Sequence, residues 1–224
     1  MSAAEKLATE KIVLKRVAAK KKAAAGVPVR RKSELTRERL LKAAATVVGR
    51  VGYAKASAAK IAEEAGIAAG GLYYYFDTRD ALFDALLPAL GLQMNAFVAA
   101  RIQSVPWGLE REVAAFAAYL EYLSDNPEFY AVFSEARVYA PQAYASNFKF
   151  TMGSFERLLS GQRRNGGLDV PEAELELTAY FLAGIRNYVS QLFLDADPPK
   201  SISIDRAVRL YRQLLSQGLF VPKP

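Results

Sequence analysis

Residues 52–76 read GYAKASAAKIAEEAGIAAGGLYYYF, and this stretch decides the fold. Ser57 offers a side-chain oxygen to the free N–H groups opening a short helix, in which Ile61, Ala62 and Ala65 recur at helical spacing. Gly66 tolerates the positive φ of a tight turn, and a third short helix, about Ala69 to Phe76, begins at once. Leu72 and Phe76, four residues apart, face inward and so turn Tyr73 and Tyr75 partly outward. Short helices joined by a tight glycine turn predict a helix-turn-helix.

Upstream, a first helix is expected from Ser33, with Leu40, Ala44, Val47, Val48 and Val51 on one face and Gly52 as its end. Downstream, Asp77 or Thr78 caps a fourth helix with the stripe Leu82, Phe83, Leu86, Leu87 and Leu90. Pro88 and Gly91 are expected to kink that helix or split it in two. Beyond Trp107 the pattern is helical over about 109–124, 127–138, 141–163, 171–194 and 203–218, with Pro127, Pro141 and Pro171 at first-turn positions. The expected class is all-α. A basic arm covers 1–32, a helix-turn-helix domain 33–80, and a larger helical domain 81–224.

Composition narrows the function. The chain has no Cys and no His, which excludes disulfides, thiolate or imidazole metal sites, and Cys or His catalysis, so no metal or cofactor is expected. The carboxylate groupings Glu63-Glu64, Glu172-x-Glu174-x-Glu176 and Asp195-x-Asp197 read as a helix surface, a helix N-terminus and a loop, which argues against an enzyme. No apolar run nears the roughly 20 residues needed to span a bilayer, and the lysine-rich start has no apolar run of a signal peptide. A cytoplasmic location with no membrane partner is therefore expected. The net charge of +7 is uneven: residues 1–32 hold ten basic residues against Glu5 and Glu10, leaving the other 192 residues at −1. A basic arm ending in Arg30, Arg31 and Lys32, on a near-neutral body, suggests a polyanion such as nucleic acid.

The run Gly52-Tyr53, Ser57, Ile61-Ala62, Ala65-Gly66-Ile67, Gly70, Leu72-Tyr73, Tyr75-Phe76, followed by Arg79 and Leu82-Phe83, closely resembles the DNA-binding domain of the tetracycline-repressor (TetR) family. The resemblance covers residues 33–87. It implies a dimeric regulator binding a palindromic double-stranded operator, with a homodimer interface built from 171–194 and 203–218. It also implies that Arg79 contacts phosphate. The helix opened by Ser57 presents free N–H groups to a phosphate, and Gly70 lets the next helix approach the duplex closely. Tyr73 and Tyr75 offer hydroxyls to phosphates, and Ala69, Gly70, Gly71, Tyr73 and Tyr74 face bases. Where the family often has Thr, Ser, a basic residue and Thr, this chain has Ala56, Ala68, Ala69 and Gly71. Readout is expected to rest on thymine methyls, DNA shape and the arm in a minor groove.

The later helices carry an excess of aromatic residues. Phe97, Trp107, Phe133, Tyr144, Phe148 and Tyr180 are candidates for a pocket wall, with Arg137, Asn147, Arg186 and Asn187 to orient a polar substituent. A small apolar or aromatic effector follows, releasing a repressor from its operator. The rival is a ligand-independent, basic architectural DNA-binding protein, which a body without a cavity would favour.

Overall fold

The computed structural model describes residues 29–194 and 203–219; the calls on residues 1–28 lie outside them. Every element among the described residues is helical. The chain divides into two compact units, 1–40 and 41–224. Helix α1 spans Val29–Lys55, starting four residues before Ser33, so its first turns include Arg30, Arg31 and Lys32. Gly52 breaks its regularity with φ 74° and ψ 164°, a conformation that essentially only glycine adopts.

Helix α2 (Ala58–Glu64) is capped by Ser57, whose hydroxyl accepts the Lys60 N–H at 3.3 Å. Gly66 makes the expected turn at φ 66°, and a 3₁₀ helix, Ala69–Tyr74, follows. Helix α3 (Arg79–Ile102) is capped by Thr78 rather than Asp77, through the Ala81 N–H at 3.0 Å. It runs unsplit through Pro88. Leu86, Leu87, Leu90 and Met94 on either side of the proline are all buried, and packing of an apolar face outweighs one lost backbone bond. By length and composition α3 could cross a membrane, contrary to the expectation from the sequence, but it packs on α4, α5 and α6 as a core helix.

The remaining helices are α4 (Leu109–Asp125), α5 (Glu128–Tyr139), α6 (Pro141–Arg164), α7 (Leu175–Leu194) and α8 (Ile204–Gln217). Helix α3 packs on α4 and α6, α6 on α7, and α4 on α8. A core of Val113, Phe116, Leu120, Met152, Phe155, Leu159, Leu175, Ala179, Leu182 and Tyr211 ties α4, α6, α7 and α8 together. Ile204, Ala207 and Val208 pack against the same cluster. Four residues of the segment 203–218 assigned to the dimer interface, these three and Tyr211, thus belong to the subunit's own core. A single helix stripe cannot reveal which partner covers it.

Candidate DNA-binding face and effector cavity

Ile61, Ala62, Ala65, Leu72 and Phe76 are buried and hold α2 against the 3₁₀ helix. The turn is closed by the Gly66 N–H on Glu63 O and the Ile67 N–H on Ala62 O, each 3.0 Å. With those side chains inside, Ala68, Ala69 and Gly70 lie exposed, and nothing approaches the open face of Gly70. Tyr73 and Tyr74 are 53% and 81% exposed, whereas Tyr75 is half-buried with its ring edge-on to Tyr74 at 5.1 Å. The outward tyrosines are therefore Tyr73 and Tyr74, because the tighter 3₁₀ turn shifts each successive side chain by more than an α-helical step. Gly71 lies against Ile67, turned away from that open face.

Arg79 opens α3 with its guanidinium 5.2 Å from the Phe83 ring centre and 3.5 Å from Asp80. Beside Ser57, the exposed Lys55 and Lys60 add positive charge that the sequence reading did not single out. The Lys60 ammonium donates to Lys55 O at 3.1 Å, so it folds back over the start of α2. The signal was two lysines flanking the cap residue.

Behind this face, α5 grips the break in α1. The Tyr53 N–H donates to Glu135 Oε2 at 3.0 Å, and the Tyr53 ring stacks on Tyr139 at 5.8 Å and meets Phe83 edge-on at 4.7 Å. Burial, then the nearby Glu135 and Asp84, pushes the Tyr53 phenol well above its ordinary pKa.

Helices α3, α4, α5, α6 and α7 enclose a cavity of about 260 Å³. Helix α5 contributes Phe129, Tyr130 and Phe133, and α6 contributes Tyr144, Asn147, Phe148, Thr151, Met152 and Phe155. Helix α3 adds Met94, Asn95 and Val98, α4 adds Tyr119, and α7 adds Tyr180, Ala183, Gly184, Arg186 and Asn187. Rings run along it in sequence: Phe129 to Phe133 at 6.5 Å, then Tyr144 at 5.6 Å, Phe148 at 6.3 Å and Tyr180 at 5.9 Å. Phe148 and Tyr180 are partly exposed, which places the mouth between α6 and α7.

Seven of the residues picked out for this role, Phe133, Tyr144, Asn147, Phe148, Tyr180, Arg186 and Asn187, line the cavity. Phe97, Trp107 and Arg137 do not. Phe97 packs on Tyr122 at 5.5 Å beneath Arg101. Trp107 lies against Gly161, with the Arg111 guanidinium 4.0 Å from its ring, in a corner clamped by Gln162 on the Gly108 N–H and C=O. Arg137 is exposed on α5.

The cavity's charged wall was only half visible in the sequence. Arg186 is buried and donates to Glu112 Oε1 at 2.5 Å, and the Tyr211 hydroxyl donates to the same oxygen at 2.8 Å. The guanidinium also lies 4.5 Å from the Phe155 ring centre. Burial alone disfavours charge on Arg186, but Glu112 outweighs it and holds the pKa above the ordinary value. Asn95, Thr151 and Glu112 were missed. The signal for Glu112 was its place on the helical face of Phe116, Tyr119 and Leu123, where a carboxylate needs a buried partner.

Residues 40–86 match the family described as "Bacterial regulatory proteins, tetR family". That segment is a tetR-family domain. No curated protein sequence matches it. Among solved structures, the tetR-family fold recurs in the transcriptional regulator FadR from Bacillus subtilis in complex with stearoyl-CoA, at 16% identity and TM-score 0.68 over 82% of this chain and 99% of that one. The fatty acid degradation regulator FadR from Bacillus halodurans gives 18% identity and TM-score 0.68 over 82% and 95%. The TetR family transcriptional regulator PfmR from Thermus thermophilus gives 17% identity and TM-score 0.62 over 82% and 100%. At these identities the likeness establishes the fold.

Proposed function

We propose that this protein is a cytoplasmic tetR-family repressor that binds a roughly palindromic double-stranded operator as a homodimer and is released by a small, largely apolar effector. The observation that carries the reading is the pairing of an outward Ala69–Tyr74 edge with an aromatic cavity in the same compact unit. Ser57, Tyr73, Tyr74 and Arg79 engage backbone phosphates, with Lys55 and Lys60 adding charge, while Ala69 and Gly70 allow close approach to base edges. The basic residues of 1–32 add affinity through counterion release.

Helix α5 supports a route between the two sites. Phe133 faces the cavity, and Glu135 and Tyr139 hold the break in α1 at Tyr53. An effector that shifts α5 moves the helix-turn-helix with it and spoils the half-site spacing of about 34–36 Å. Tenfold release needs only about 1.4 kcal/mol of coupling. The dimer is formed by α7 and α8, on which Leu177, Phe181, Tyr188, Leu192, Leu210 and Leu219 remain exposed. The stearoyl-CoA of the Bacillus subtilis FadR complex is in keeping with an apolar effector. The cavity weighs against a ligand-independent architectural role, and the absence of Cys and His from the sequence weighs against an enzyme.

The test is a gel-shift titration of fragments from the protein's own upstream region, with mass determination at micromolar concentration. Binding by a dimer, with a salt slope that flattens when residues 1–28 are deleted, is expected. Failure to bind any fragment at low salt overturns the reading, and a monomeric mass removes the dimer.

A further inference from the structure

One subunit leaves the cavity open. Its mouth lies between α6 and α7, where Phe148 and Tyr180 meet edge-on at 5.9 Å and both stay partly exposed. Gly184, one turn beyond Tyr180, also belongs to the wall. A Cβ built there would meet nothing within 4 Å, and the backbone is ordinary α-helix, so neither packing nor conformation within the described fold calls for glycine. Glycine in mid-helix weakens the helix relative to alanine. What the missing side chain leaves is space at the rim of the mouth, for a group that the subunit's described helices do not supply.

The rim continues into an apolar face. Leu177, Phe181, Gly184, Tyr188 and Leu192 fall at helical spacing on one side of α7, with Phe181 64% and Tyr188 71% exposed. Of these five only Gly184 lines the cavity. Between Leu177 and Leu192 the only charged residue is Arg186, which is buried against Glu112, so the face carries no charge. With Tyr180 it leaves on the order of 500 Å² of side chain bare, more than half of the roughly 800 Å² that one partner brings to a stable interface. An uncharged, aromatic face fits a copy of itself, because across a two-fold axis it meets the same face with no like charges opposed.

We infer that a second copy of this chain closes the cavity: its α7 lies over the Gly184 rim, and the mouth between Phe148 and Tyr180 is sealed only in the dimer. This rests on the effector-cavity and dimer readings above and adds that the effector site is incomplete in one subunit. A ligand held by both subunits tightens the dimer. The effector therefore frees DNA by altering half-site geometry and not by separating the subunits.

The experiment uses the full chain, with mass from sedimentation velocity and binding of 4-phenylbutanol, butylbenzene and N-phenyl-1-naphthylamine from calorimetry. Wild type is expected to be a dimer that binds at least one of the three, one molecule per subunit. Phe181→Glu and Tyr188→Glu each place a carboxylate in the exposed face while leaving the cavity wall intact. Each is expected to give a monomer, folded by circular dichroism, that binds the same compound about tenfold more weakly. Because a dimer holds two such sites, saturating compound is expected in return to lower the wild-type dimer dissociation constant about a hundredfold. Should either variant fail to fold, the other variant and the wild-type shift still decide. A monomeric variant that binds as tightly as wild type overturns the inference, since one subunit then completes the site. A dimer constant unmoved by the compound overturns it too, as do variants that remain dimeric, which would leave the face free. A monomeric wild type instead removes the dimer reading, and a wild-type dimer that binds none of the three removes the effector cavity; the inference falls with either.

Discussion

Between Ser57 and Phe76 every buried side chain is apolar and Tyr73 and Tyr74 face outward, whereas in the helical body polar atoms are buried in the walls around a cavity. The helix-turn-helix does its work with a surface, so its core can be fully closed by Ile61, Ala62, Ala65, Leu72 and Phe76. The body instead surrounds a cavity and buries polar atoms of Asn147, Thr151 and Asn95 without protein partners, together with an ion pair, Arg186–Glu112. Both regions use glycine, for different ends. Gly66 gives a backbone turn, while Gly91 gives a side chain room to lie across a helix.

The sharpest way to break the body is at its ion pair. Glu112→Ala leaves Arg186 charged and buried, and a loss of about 3–5 kcal/mol is expected in urea unfolding. Glu112→Gln, which keeps an acceptor, is expected to cost clearly less; equal costs would mean that charge pairing is not what the buried arginine needs.

In the helix-turn-helix, neighbouring residues are expected to separate stability from binding. Leu72→Ala empties a fully buried position and is expected to cost about 2–5 kcal/mol. Tyr74→Ala, two residues away and 81% exposed, should change stability by no more than about 0.5 kcal/mol yet weaken operator binding about tenfold. In the same gel shifts, Arg79→Ala should lower the magnitude of the salt slope by about 0.9. A Tyr74 variant with unaltered DNA affinity would remove that tyrosine from the interface.

The join between the regions comes next. Gly52→Ala forces a side chain into the φ 74°, ψ 164° conformation beside the Glu135 carboxylate and is expected to cost about 1–3 kcal/mol by thermal or chemical unfolding. Glu135→Gln keeps an acceptor for the Tyr53 N–H, so operator affinity in its gel shifts should stay near wild type.

The smallest effect is expected from pH. Burial above all raises the pKa of the Tyr53, Tyr119 and Tyr211 phenols in the folded state. A raised folded value favours the neutral form, so this contribution is complete below the unfolded pKa of about 10 and is lost as pH rises through the folded values. Melting temperature should fall only above about pH 10. Absorbance of tyrosinate should lag behind that of the unfolded chain. A decline already under way at pH 8 would contradict it.

The sequence by itself determined the elements and the helix-turn-helix, because caps, turns and inward faces there depend on residues three or four apart: Ser57 with Lys60, Glu63 with Gly66, Leu72 with Phe76. It also pointed to Asn147, Phe148, Tyr144 and Tyr180, which share one helix pattern or one aromatic excess. Only the tertiary structure decided what those residues meet. Glu112 and Arg186 lie 74 positions apart, Glu112 and Tyr211 lie 99 apart, and Asn147 finds room only because Gly91 passes beneath it. Trp107, Phe97 and Arg137 fit the same compositional pattern and stand elsewhere, since apolar spacing shows that a face is covered without showing by what. Helix α8 makes the same point: its helical pattern over 203–218 was plain, but packing against α4 claimed Ile204, Ala207, Val208 and Tyr211 for the subunit's own core, because burial depends on partners brought together by the whole chain.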